Sequence, residues 1–176
     1  MDYKIGDKVV YPNHGVGIIE QINYGMLEGR TETYYMLRIT SSALRVMVPQ
    51  SNALAVGLRP VIRNGDTSKV LGYIEKGKFN SHHDWKHRFK ENSERMRTGS
   101  LIEVAVVLKS LVALSRTKPL SFRERKMLDR AKYLLVSELA TARNASAENI
   151  ETMLTKSLAK ARLRMPTTGE AVEAGD

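Results

Sequence analysis

Residues 79–97 read FNSHHDWKHRFKENSERMR and contain Trp85, the only Trp in the chain. Ser81 or Asp84 can cap the N-terminus of a helix that begins here, and Gly99 lies where helices commonly end. This stretch is therefore predicted to form a helix that carries one large aromatic side chain in its first turn.

Cations surround that aromatic side chain on the predicted helix. Phe89 shares a face with Trp85 because the two are four residues apart, and Lys86, Arg88 and Lys90 spread over the other faces. A flat apolar ring beside several cations suits a nucleic-acid surface, because the cations meet phosphates and the ring meets bases. The alternative is that Trp85 is a core residue on a helix whose charged face is merely solvated.

The positive charge of the chain lies almost entirely in one segment. The net charge is +9, and residues 1–66 carry 7 Lys and Arg against 6 Asp and Glu. Residues 67–165 carry 21 against 10, and residues 166–176 carry none against 3. This asymmetry predicts a polyanionic partner for the middle segment and a different partner for the first.

Composition sets the compartment expected for the protein. The sequence has no Cys, no apolar run long enough to span a membrane, and no signal-peptide pattern in its opening MDYKIGDK. We therefore expect a cytoplasmic protein without a membrane partner.

The first segment has the pattern of short strands. Residues 8–11, 16–22, 33–39 and 44–49 are rich in β-forming residues and are separated by Gly and Pro turns. This pattern predicts a small, strongly bent β-barrel over residues 1–66. In its last long strand, alternation places Val46 and Val48 in the core, and Met47 and Pro49 on the outside.

The second segment has helical periodicity. Thr67 or Ser68 is expected to cap a short helix, capping boxes begin at Ser100 and Ser121, and Asn144 or Ser146 can cap the last helix. The helix after Ser121 buries an apolar stripe and exposes three cations, Arg123, Lys126 and Arg130. The predicted class is α+β, with a β-barrel domain (1–66), a compact basic all-α domain (67–165) and an acidic tail (166–176).

No catalytic, metal or cofactor site emerges from the residue pattern. His83 and His87 have the i, i+4 spacing of a zinc-binding helix, but a third ligand is missing because the remaining His residues are His82 and the distant His14. The sequence also lacks a Cys nucleophile and a phosphate-binding Gly loop with Lys. We therefore expect neither enzymatic activity nor a cofactor.

Four stretches of the sequence carry a resemblance to a known family. IGDKVVYPNHGVG at residues 5–17 resembles the opening of the CarD/CdnL transcription regulators of bacteria, and is similar to the RNA-polymerase-interacting domain of transcription-repair coupling factors. DWKHRFKEN at residues 84–92 matches the same family, as do RVMVP at 45–49 and residues 120–131. The resemblance covers about residues 1–163.

The resemblance implies a Tudor-like domain that docks on the β subunit of RNA polymerase. It also implies a helical domain whose Trp wedges into the DNA minor groove at the upstream edge of the promoter bubble and slows collapse of the open complex. The protein is expected to act as a monomer in the polymerase complex. Some relatives have Arg at the places of Gly25 and Met47, so the polymerase contact here is expected to be more apolar.

The expected contact residues form two sets. The polymerase-binding set is Arg45, Met47 and Pro49. The DNA-binding set is Trp85, Lys86, Arg88, Lys90, Arg123, Lys126 and Arg130. The alternative function is a stand-alone DNA-compacting protein that uses only its helical half, and a polymerase pull-down distinguishes the two.

Overall fold

The structure is a computed structural model that describes residues 2–79 and 84–167. Within these ranges the strands come first: β1 (Lys8–Tyr11), β2 (Gly15–Leu27), β3 (Arg30–Ile39), β4 (Arg45–Pro49) and β5 (Arg59–Pro60). The helices follow: α1 (Asn64–Lys76), α2 (Trp85–Arg97), α3 (Leu101–Ser115), α4 (Phe122–Arg143) and α5 (Ala147–Lys160). The predicted α+β class is confirmed.

The strands form one antiparallel sheet in the order β4-β3-β2-β1-β5. A register shift in β2 between Ile19 and Gln21 marks a bulge, which bends a strand and increases its twist. Side chains from four strands face one small core: Val9, Ile19, Tyr35, Leu37 and Val48. No pairing joins β4 to β5 among the described residues, so the bent sheet has two edges.

The first helix begins earlier than the sequence predicts. It starts at Asn64, with Arg63 at the N-cap and no side-chain cap. Thr67, expected as a cap, lies inside the helix, where its hydroxyl donates to the Asn64 carbonyl at 2.6 Å and accepts from Arg143 Nε at 2.8 Å. A tertiary contact with α4 therefore explains the placement of Thr67.

The helical half packs around α3, which is apolar on nearly every side. Ser100 caps this helix by accepting a hydrogen bond from the Glu103 N–H. Burial of most of its faces places α3 at the centre of the helical core. Its buried apolar residues are Leu101, Val104, Ala105, Val107, Leu108, Leu111 and Val112.

The strand and helix halves meet between β2 and α4. Gly15 opens β2 at a φ of +95°, and a Cβ there would lie 3.3 Å from Tyr133 Cε1 of α4. Both the backbone angle and the close approach favour glycine. An ion pair between Arg59 of β5 and Glu138 of α4 also spans this junction.

Candidate nucleic-acid and protein interfaces

Trp85 is the first residue of α2 and is 49% exposed. Asp84 caps the helix, its carboxylate accepting from the Lys86 N–H at 3.2 Å. The indole lines a shallow depression of about 440 Å³ together with Pro119 and Leu120 of the α3–α4 loop. The cap and the loop thus hold a large aromatic ring that keeps half of its surface in solvent.

Cations from two helices surround a groove beside this ring. The groove has a volume of about 390 Å³ and lies between α2, which contributes Phe89 and Arg97, and α4. Three predicted DNA-binding residues line its α4 side: Arg123, Lys126 and Arg130, all exposed. The tertiary fold therefore brings residues about 40 positions apart in sequence to one basic surface.

Lys86 and Lys90 are exposed on α2, as a phosphate contact requires. They lie four residues apart and so share one face of the helix. Neither forms an ion pair with another described residue, whereas Arg95 on the same helix is bound to Glu91 and Glu103. These two lysines remain candidates for contact with an anionic ligand.

Arg88 does not belong to that surface, and its prediction as a phosphate contact is wrong. Its side chain is buried, and its Nη2 donates to Glu124 Oε1 at 2.8 Å. The buried face of α2 consists of Arg88, Asn92 and Met96, spaced by four residues. Phe89, on the neighbouring face, is only half-buried and lines the groove.

Glu124 connects the first turns of two helices. Besides Arg88, it accepts from the Ser121 N–H at 3.0 Å, while Ser121 Oγ accepts from the Glu124 N–H at 3.2 Å, which completes the predicted capping box. Burial raises the pKa of this carboxyl, but the hydrogen bonds from Arg88 and Ser121 outweigh it and leave the pKa below its ordinary value. A buried carboxylate thus joins α2 to α4 beside Trp85.

Sequence reasoning missed Phe122, the first residue of α4. Its side chain is 75% exposed and lines both the depression beside Trp85 and the basic groove. The signal was present, because Phe122 follows the capping residue Ser121 and lies six residues before Leu128, off the buried stripe of its helix.

A second exposed surface lies on the outer face of the sheet. Met47 of β4 is 56% exposed and pairs with Met36 of β3, while Pro49 pairs with Tyr34. Val48 points into the core, as the predicted alternation requires. Because β4 is an edge strand, this apolar patch lies beside unpaired backbone groups that a partner strand can use.

Arg45 lies at the start of the same edge strand. Its Nε donates to Glu20 Oε2 at 3.0 Å, and Glu20 also accepts from Arg38 at 2.5 Å. The hydrogen bond from Arg38 and the further contact with Arg45 hold the pKa of Glu20 below its ordinary value. Arg45 is exposed but belongs to this three-residue ionic network.

Candidate metal ligands do not cluster among the described residues. These residues contain no group of three or more His, Asp or Glu side chains that could hold a metal ion. His82 and His83 lie outside the described ranges, so the spacing between His83 and His87 is a feature of the sequence alone. Within the same ranges, no helix has both the length and the apolar content to cross a membrane.

Comparisons with known proteins identify both halves. Residues 3–62 match the model of the CarD-like/TRCF RID domain, and residues 69–155 match that of the CarD C-terminal domain. The chain is also 34% identical over 149 residues to YdeB of Bacillus subtilis (strain 168), which is described as a candidate transcription factor. That alignment covers 85% of this chain and 97% of YdeB. The protein therefore belongs to the CarD-like family of transcription factors and carries the family's RNA-polymerase-interacting type of domain.

Proposed function

We propose that the protein binds the β subunit of RNA polymerase through its strand half and promoter DNA through its helical half. The DNA site is the upstream edge of the transcription bubble, where Trp85 enters the minor groove. The ring inserts between two neighbouring base pairs and keeps them unstacked. This insertion opposes closure of the bubble and stabilises the open complex at initiation.

The observation that carries this proposal is the half-exposed Trp85 beside a basic groove. Unstacking a base step costs a few kcal/mol, and an inserted apolar side chain offsets part of that cost. The nearby cations Lys86, Lys90, Arg123, Lys126 and Arg130 supply phosphate contacts that fix the position of the ring. This combination supports a wedge more than a core Trp.

The polymerase contact uses the outer face of β4. Met47 and Pro49 supply apolar contact area there, and Arg45 supplies a cation at one end. The edge position of β4 also favours the addition of a strand from the partner. One copy of the protein suffices for this bridge, so we infer a monomer that acts in the cytoplasm with polymerase and has no catalytic role.

The test measures the lifetime of open complexes on a linear promoter fragment. The decay is followed after addition of a competitor that captures free polymerase. We expect the wild-type protein to lengthen the lifetime, and both Trp85→Ala and Met47→Glu to abolish the effect. Only Met47→Glu should also reduce binding to polymerase without DNA. An unchanged lifetime in the presence of bound wild-type protein would reject open-complex stabilisation.

Salt dependence distinguishes this function from DNA compaction. Each phosphate contact contributes roughly 0.9 to the slope of log K against log salt for duplex DNA, so binding to DNA alone should weaken steeply with salt. Binding to polymerase should depend little on salt, because the patch around Met47 is mainly apolar. A compacting protein would bind DNA in the same way but would not be retained by polymerase.

A further inference from the structure

Among the residues that the structure describes, Phe122 is the one side chain that lines both candidate DNA surfaces of the helical half. It shares the depression of Trp85, Pro119 and Leu120, and it also borders the basic groove next to Lys126. At 75% exposure it is more accessible than Trp85, at 49%. The two rings are therefore neighbours on a single surface.

Packing does not explain an aromatic residue at this position. The apolar stripe that α4 buries includes Leu128, Ala131 and Leu135, and Phe122 lies outside it. The capping box uses the side chains of Ser121 and Glu124 and places no requirement on the two residues between them. Phe122 and Trp85 instead form one exposed apolar patch with Pro119, and contiguous exposed apolar patches mark binding surfaces.

The charges around the ring indicate an anionic partner. Lys126 Nζ lies 5.4 Å from the centre of the Phe122 ring, within the range of a cation–π contact. Arg123 is exposed beside it, and Lys118 is exposed on the side of the ring that faces Trp85. An aromatic face between cations is the arrangement by which proteins bind single-stranded nucleic acid.

The same carboxylate positions both rings. Glu124 binds Arg88, three residues after Trp85, and also accepts from the backbone N–H of Ser121, which directly precedes Phe122. The first turns of α2 and α4 are thus held together before any ligand arrives. Preorganisation of this kind lowers the entropy lost on binding.

We propose that Phe122 is a second base-contacting residue, whose ring stacks on an unpaired base adjacent to the step that Trp85 occupies. Lys126 and Lys118 then meet the flanking phosphates. This inference rests on the proposed function, because it assumes that the helical half meets DNA where paired and unpaired strands join.

The test uses the full chain and two DNA probes, a forked duplex with 2-aminopurine at the first unpaired nucleotide and a fully paired control. Stacking of Phe122 on the probe base should quench its fluorescence. We expect Phe122→Ala to lower affinity for the fork roughly 10-fold and to reduce the quenching, with little effect on the paired control. Phe122→Tyr should retain both properties because it keeps the aromatic face.

Two control variants make the result specific. Phe122→Leu keeps apolar volume without a π-face and should behave like Phe122→Ala. Ile102→Ala removes an exposed apolar side chain from α3, outside both surfaces, and should bind like the wild type. Denaturation curves of all variants should coincide with that of the wild type to within about 1 kcal/mol, since exposed positions contribute little to stability.

The outcomes distinguish this inference from the proposed function. If Trp85→Ala loses affinity for the fork while Phe122→Ala binds like the wild type, the role of Phe122 is rejected and the proposed function stands. Wild-type behaviour of Phe122→Leu would reject stacking. If the wild-type protein shows no preference for the fork over the paired control, the fork contact itself is rejected, and this inference with it.

Discussion

Arg59 and Glu138 form a two-point ion pair between the strand half and the helical half. Arg59 Nη1 lies 2.6 Å from Glu138 Oε1, and Arg59 Nη2 lies 2.8 Å from Oε2. The same carboxylate accepts from the Ile62 N–H at 3.1 Å, and Arg59 Nε donates to the Gly99 carbonyl at 2.7 Å. The pair thus connects β5, the chain before α1, the end of α2 and α4, and it fixes the position of the Trp85 surface relative to β4.

Breaking the ion pair between Arg59 and Glu138 should uncouple the polymerase-binding surface from the DNA-binding surface. Glu138→Gln keeps the shape of the side chain but leaves Arg59 without a counter-charge, at a cost of about 2 kcal/mol in unfolding free energy. We expect a shorter open-complex lifetime with polymerase affinity unchanged. The matched control is Glu151→Gln, which removes an exposed pair with Lys132 and should change stability by about 0–1 kcal/mol. Equal lifetimes for the two variants would contradict the coupling.

Arg88 and Lys90 should differ although only one residue separates them. Arg88→Ala leaves the buried Glu124 without its counter-charge and should lower the unfolding free energy by about 3–5 kcal/mol. Lys90→Ala should leave the denaturation curve unchanged and reduce the salt slope of DNA binding by about one unit. Urea denaturation and a salt titration of DNA affinity measure the two effects. A stable Arg88→Ala protein with a reduced salt slope would restore Arg88 as a phosphate contact.

Protonation of Glu124 should account for part of the stability that the protein loses in acid. Its pKa is lower in the folded protein than the roughly 4.3 of an unperturbed Glu. The contribution of the Glu124 carboxylate to the free energy of unfolding is therefore present above the pKa of the unfolded state. It is lost as the pH falls through the pKa of the folded state. We expect urea midpoints of the wild type to drop below about pH 4.3, with a smaller drop for Glu124→Gln. Parallel pH profiles for the two proteins would assign the acid sensitivity to other carboxylates.

Met47→Glu should weaken binding to polymerase while leaving the thermal melt nearly unchanged. The side chain is 56% exposed, so a carboxylate there stays hydrated in the folded protein but must lose water in an apolar interface. A pull-down with polymerase and a melting curve measure the two properties. Val48→Ala is the opposite control, because Val48 is buried and its truncation should lower stability instead. A large loss of stability in Met47→Glu would place Met47 in the core.

Trp85→Ala should affect the promoter complex far more than folding. If Trp85 were fully buried, its truncation would lower the unfolding free energy by about 3–5 kcal/mol. Because the side chain is half-exposed, we expect a loss of roughly 1–2 kcal/mol. We expect a folded variant whose open complexes decay as fast as those without the factor. Trp85→Phe should restore part of the lifetime, because a smaller ring still fills some of the unstacked step. Loss of fold, with normal lifetimes for the protein that remains folded, would reject the wedge.

Several elements could be predicted because their signals are local. The capping box of Ser121 and Glu124 and the caps at Asp84 and Ser100 depend on residues a few positions apart. The alternation around Met47 follows from the two-residue period of a strand. The family resemblance extended these local signals to the whole chain, and the matches to both halves agree with it.

The sequence by itself determined the order of strands and helices, the basic excess of the helical half and the aromatic residue in the first turn of α2. Each follows from short-range periodicity, capping or composition. Only the tertiary structure decided that Arg88 is buried on Glu124, that Phe122 lies beside Trp85, and that Arg59 joins the halves through Glu138. These pairs lie about 36 to 79 residues apart in sequence. Helical periodicity predicts which face of a helix a residue occupies, but it does not predict which other element packs against that face.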